Sequence, residues 1–167
     1  MVKIKYLILC LLGFSLGLIS CNHKSEMIYH TIPIEKEYEA FKYVFDRNKI
    51  SEEELKEMPN LQLVINSEDE FPDEDLRGLE ELKESDIDFK QYTMLLVYYK
   101  VPGVVEDYSY SYAKDFENNT IIFSINYNSV VDSGEKAESV NLFTYCRSAI
   151  LVTKIPEDTG VEFRLFY

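Results

Sequence analysis

The chain has 167 residues, with 17 Lys and Arg against 30 Asp and Glu, a formal net charge of −13, and 46% hydrophobic residues that include 13 Tyr and 10 Phe. An excess of carboxylates on this scale repels the phosphates of nucleic acid and anionic headgroups, so it argues against a nucleic-acid partner. The length suits one ordinary domain, and the apolar fraction is enough to build its core.

In chain order the first segment is Met1 to Cys21, MVKIKYLILCLLGFSLGLISC. Two cations, Lys3 and Lys5, precede an unbroken apolar stretch from Tyr6 to Ile19, which is the layout of an export signal. Those fourteen residues fall short of the roughly 20 that a helix needs to cross the hydrocarbon core. The run Leu18-Ile19-Ser20-Cys21 resembles the lipobox of bacterial lipoproteins. That resemblance implies cleavage after Ser20 and a diacylglycerol thioether on Cys21, chemistry that needs the nucleophilic thiolate of a cysteine. It also implies a protein held on the cell envelope by covalent lipid, since two or three acyl chains make release negligible. Asn22 stands where many inner-membrane lipoproteins carry Asp, which favours the outer membrane, facing either the periplasm or the exterior. The expected organisation is therefore a signal peptide at 1–20, a lipidated tether at 21–27 and one β-rich domain at 28–167. Cleavage removes Lys3 and Lys5 and so deepens the negative charge by two.

Within the domain, Ile28, His30, Ile32 and Ile34 share one parity, as in a half-buried strand, and Pro33 marks it as an edge. Residues 35–45 are ambiguous, because Tyr38, Phe41 and Phe45 have helical spacing while Tyr43-Val44-Phe45 has strand propensity. Ser51 and Glu54 have the spacing of a capping box, opening a short helix that Pro59 stops. Leu61, Leu63 and Ile65 alternate as in a strand. Leu76, Leu79 and Leu82 predict a helix after Pro72 with one apolar stripe. Tyr92 to Val101 is apolar almost throughout and predicts a central strand, followed by a turn at Pro102-Gly103. Tyr108 to Tyr112 alternates Tyr with Ser, Asn118-Asn119 marks a turn, and Ile121, Phe123, Ile125 and Tyr127 predict one face of the next strand. A polar loop is expected from Asn128 to Ser139, with Ser133-Gly134 at its tip. Ala149–Ile155 and Val161–Phe166 flank Pro156 to Gly160 and read as a hairpin. The sum is an α+β, β-rich domain on a mainly antiparallel sheet with one or two short helices.

Chemistry-bearing candidates are few. Tyr108, Tyr110 and Tyr112 share a strand face and could form an exposed stacking platform for a ligand, because phenols combine apolar area with a hydroxyl. Glu68 to Asp75 offers six carboxylates but lacks the glycine and terminal Glu of a calcium loop, and it suits a solvated helix start. Cys146 is the one thiol left after cleavage and lipidation, so no disulfide forms within the mature chain. With only His23 and His30 near the tether, Cys146 reads as a buried, inert thiol. Neither a Gly-x-Ser-x-Gly elbow, a His-Glu-x-x-His pair nor a glycine-rich phosphate loop is present, and no cofactor or metal is expected.

Three stretches, Val64 to Phe71, Asp86 to Phe89 leading into Met94 to Val97, and Ile150 to Pro156, resemble small envelope lipoproteins related to the C-terminal domain of protease-complex-stabilising proteins. The resemblance spans about 61–167 and implies a β-rich binding or stabilising domain without catalysis. Where that family usually has Gly-Gly-Tyr after the central strand, this chain has Val101-Pro-Gly-Val-Val105. The leading expectation is a lipid-anchored, non-enzymatic protein that binds or stabilises another envelope protein. The alternatives are a glycan-binding accessory lipoprotein using the tyrosine face, and a small envelope hydrolase.

Overall fold

A computed structural model describes residues 29–31, 33–130 and 141–167. The signal segment, Cys21, the tether and the Ser133-Gly134 tip lie outside the described residues. Among those described are nine strands: β1 (Tyr29–Thr31), β2 (Lys36–Glu37), β3 (Phe41–Asp46), β4 (Leu61–Ile65), β5 (Tyr92–Pro102), β6 (Val104–Asp115), β7 (Thr120–Val130), β8 (Leu142–Thr153) and β9 (Gly160–Phe166). Two five-residue helices, α1 (Glu52–Lys56) and α2 (Leu79–Lys83), complete the set, with a 3₁₀ turn at Glu68–Glu70.

The strands form two sheets. The first runs β1-β6-β7-β9, and the second runs β2-β8-β5-β4 with β3 also paired to β8. Strands β2 and β3 follow one another along the same edge of β8, against Ile150–Leu151 and Leu142–Arg147 respectively. Every pairing is antiparallel except β7 with β9. The fold class is thus the β-rich α+β arrangement that the strand signals predict.

Side-chain alternation along β5 and β8 divides the core in two. Leu95, Val97 and Val101 of β5 and Cys146, Ile150 and Val152 of β8 face the first sheet, where Tyr112, Ile121, Phe123, Ile125 and Tyr127 meet them. The opposite parity, Met94, Leu96 and Tyr98 with Phe143, Tyr145 and Ala149, faces α1, α2 and their loops, buried beneath Met58, Leu76, Leu79 and Leu82. Strand β5 is central and covered on both faces, and its six residues Thr93 to Tyr98 are fully buried. Burying apolar surface on this scale is what holds a disulfide-free domain together.

Residues 36–37 and 41–46 are strands, which settles the ambiguous segment. Ser51 caps α1 in a full capping box with Glu54: Ser51 Oγ accepts from the Glu54 N–H and the Glu54 carboxylate accepts from the Ser51 N–H. The leucine stripe is buried at 76, 79 and 82, but α2 starts only at Leu79, because Gly78 sits in the left-handed region at φ 73° and breaks the turn before it. Gly103, at φ 82°, is the whole connection between β5 and β6. It carries the chain from the second sheet to the first, and its N–H donates to Leu142 O at 2.9 Å.

Two expectations are corrected. Pro156 to Gly160 does not close a hairpin: β8 and β9 lie in different sheets, and β9 pairs with β7 in parallel. The turn is a corner between sheets, so its local chemistry resembles that of a hairpin while its strands diverge. Strand β7 also continues through Asn128 to Val130, because Asn128 and Val130 pair with Asp107 and Val104, so the polar loop begins later than expected.

Candidate functional site

The tyrosine row faces inward. Tyr112 is buried, Tyr108 and Tyr110 are half-buried, and all three pack into the cluster between the sheets. Tyr110 packs in a tilted arrangement against the buried ring of Phe123, with centroids 5.7 Å apart, and burial pushes the Tyr112 phenol up to about 12. The exposed tyrosine face on which the glycan alternative depends is therefore filled by the protein's own core. Cys146 is likewise buried, 1% exposed, and burial raises its thiol to about 12, which leaves it protonated and inert at neutral pH. In the acidic run, Glu70 accepts the Asn66 N–H at 2.6 Å, and no group of three metal-ligating side chains forms among the described residues.

The surface that is open lies on the far side of β8. Phe41, Tyr43 and Phe45 point to the same face of β3, with ring centroids 5.9 and 5.3 Å apart, and Phe45 continues the row onto Phe143 at 5.4 Å. Phe143 is buried, whereas Tyr43 and Val44 are 50% and 46% exposed. Arg77 covers part of the row, its guanidinium 5.0 Å from the Tyr43 ring and 5.5 Å from that of Phe45.

The backbone of β3 is open as well. Arg47 N–H donates to Asn141 O at 2.7 Å, and the register Phe41↔Arg147 to Asp46↔Leu142 continues that pairing. Antiparallel alternation then assigns residues 41, 43 and 45 to β8, and turns the N–H and C=O of Lys42 and Val44 outward. No described strand pairs with β3 on that side. Edge strands are commonly guarded by a lysine. Here the side chain of Lys42 is tied back across the sheets, donating to Glu106 O at 3.1 Å beside the irregularity in β6 and lying 5.6 Å from the Tyr108 ring.

No protein-family model, curated protein or solved structure matches the chain. The site therefore stands on its own geometry. Other sheet edges are less inviting: β4 leaves no large hydrophobic side chain exposed, and β9 carries the Glu162–Arg164 ion pair at 2.7 Å. The signal that would have found β3 is the period-two row Phe41-x-Tyr43-x-Phe45, masked by the helical spacing of Tyr38, Phe41 and Phe45.

Next to the end of β3, a cleft of about 340 Å³ opens between α1 and the second sheet, bordered by Arg47, Ile50, Leu55, Lys100 and Phe143. The capping box sets the start of α1, and so places Leu55 over this cleft. Neither Arg47 nor Lys100 is distinguished by any motif, because only the fold brings residues 47 and 100 together.

Proposed function

We propose that the chain is a lipid-anchored, non-enzymatic protein of the bacterial cell envelope, attached through Cys21 to the outer membrane, whose β domain binds or stabilises another envelope protein. The observation that carries this reading is the free edge of β3: two outward-facing peptide groups beside the half-exposed side chains of Tyr43 and Val44. An extended segment of a partner can add to such an edge, taking affinity from main-chain hydrogen bonds and selectivity from the side chains beside them. Six residues of β3 offer about 20 Å of ladder. The fitting occupant is an extended stretch with apolar side chains to set against Tyr43 and Val44. The lipobox places the domain within a few residues of a membrane surface, where envelope proteins are concentrated. The packed tyrosine row leaves the glycan alternative without its platform.

Affinity purification from solubilised membranes tests this, with wild-type protein beside Val44→Pro. Proline at residue 44 removes an outward N–H and no bond to β8, so the variant keeps its fold, which thermal melting verifies. One protein partner recovered reproducibly with the wild type and lost with the variant is expected. Equal recovery with both would remove β3 from the account, and recovery of polysaccharide in place of protein would overturn the reading. Replacing Cys21 by Ser is expected to abolish lipid labelling and release the protein from membranes.

A further inference from the structure

The cleft between α1 and the second sheet joins features that the strand edge does not need. Arg47 is exposed at its rim, with its guanidinium carbon 5.9 Å from the ring centroid of Phe143. Lys100 is half-buried on the other side, and its ammonium donates to Leu55 O at 3.3 Å, which leaves further N–H donors available. Burial and the charge of Arg47 together hold the Lys100 ammonium below the ordinary lysine range. None of the ion pairs among the described residues includes either cation, although Glu52 stands on the same wall. In a molecule of net charge −13, two like charges thus share one cleft without a carboxylate bound to either. A bound anion relieves their mutual repulsion. Ser51 and Glu52 also line the cleft, and the remaining wall is apolar: Ile50, Leu55 and the ring of Phe143.

We infer that this cleft binds an organic carboxylate with an apolar or aromatic body. Arg47 supplies the planar fork that fits a carboxylate in two bonds, Lys100 supplies a point charge, and Phe143 with Leu55 takes the body. Inorganic phosphate or sulfate would leave the apolar wall uncovered. The volume falls in the range of small-ligand sites, about 300 to 1,000 Å³. Such a carboxylate comes either from a free small molecule or from the C-terminus of a polypeptide. The inference goes beyond strand addition at β3 and does not depend on it.

The test is a titration of the full-length protein in detergent, followed by amide chemical shifts, with N-acetylphenylalanine and with its amide, N-acetylphenylalaninamide. The acid is expected to saturate below about 10 mM, with shifts at Ile50, Leu55 and Lys100, and the amide to bind at least tenfold more weakly. Arg47→Gln and Lys100→Gln are each expected to weaken the acid at least tenfold with the rest of the spectrum unchanged, while Lys83→Gln, an exposed lysine on α2, leaves it as in the wild type. Equal binding of acid and amide, no effect of Arg47→Gln, or no saturation by about 10 mM overturns the inference. A pentapeptide ending in phenylalanine distinguishes the sources. Tighter binding than the free acid assigns a chain terminus, and equal or weaker binding assigns a small carboxylate, each supporting the site. A negative result here leaves the purification with Val44→Pro unaffected, so the two readings fail separately.

Discussion

Arg147 shows how one buried charge can organise a fold. It stands on the helix-facing side of β8, 2% exposed, and donates to the carbonyls of Gly78 and Glu39, the latter at 2.8 Å, with Glu81 Oε2 at 3.5 Å. One side chain thereby joins β8, the start of α2 and the link between β2 and β3. Gly78 is matched to it in two ways, by its left-handed φ of 73° and because a Cβ there would lie 2.6 Å from Arg147 Nη1. Arg147→Met leaves the two carbonyls without a donor and is expected to lower stability by about 1–3 kcal/mol in urea unfolding. Gly78→Ala is expected to cost about 1–2 kcal/mol from backbone strain, with displacement of Arg147 adding to it. Because both changes break the same contact, the double variant should be less destabilised than the sum of the singles, and strict additivity would contradict this picture.

At the scale of elements, strands whose alternation serves a single face are legible in the sequence. Leu61, Leu63 and Ile65 mark β4, and Ile121 to Tyr127 mark β7, because hydrophobic period alone decides them. The capping box of α1 is equally local. Strand β8 is harder: sequence reading finds it only from Ala149, although it begins at Leu142. The part before Ala149 carries Thr144, Arg147 and Ser148, all buried, which disguise a core strand as a polar one. Their partners come from far along the chain. Thr144 Oγ1 donates to Gly103 O and accepts from the Val105 N–H, and Ser148 Oγ lies 3.3 Å from Tyr127 Oη. The corner at Pro156 to Gly160 reads as a hairpin in sequence, since turn residues report a reversal of direction and not which sheet the next strand joins. The edge of β3 and the cleft cations were not legible, because their meaning depends on what β8 and α1 leave uncovered. The contrast between the two strands can be measured. Ile150→Ala in β8 is expected to cost about 2–5 kcal/mol, whereas Val44→Ala in β3 should stay within about 0.5 kcal/mol of the wild type. Comparable losses at both positions would mean that β3 is not a free edge.

For the whole molecule, buried phenols set the alkaline limit. Burial raises Tyr98 and Tyr112 to about 12 and lifts Tyr110, Tyr127 and Tyr145 above the ordinary range near 10. Above pH 10 the unfolded chain gives up protons that the folded chain retains, so the unfolded state gains and stability falls as pH rises. The contribution is complete below about pH 10 and is lost progressively through about pH 12. Thermal melting between these values should show a steep drop, with the tyrosinate absorbance of these five phenols appearing together with unfolding. Gradual ionisation of all the tyrosines in a folded protein would contradict the burial of this set.

On the proposed function, the free edge of β3 meets another envelope protein. Photocrosslinking in intact cells probes this contact, with a photoreactive amino acid at position 44 and, for comparison, at Asn126 on the exposed outer face of the first sheet. A discrete protein adduct from position 44 and none from 126 is the predicted result. No adduct from 44, or the same adduct from both positions, would contradict it.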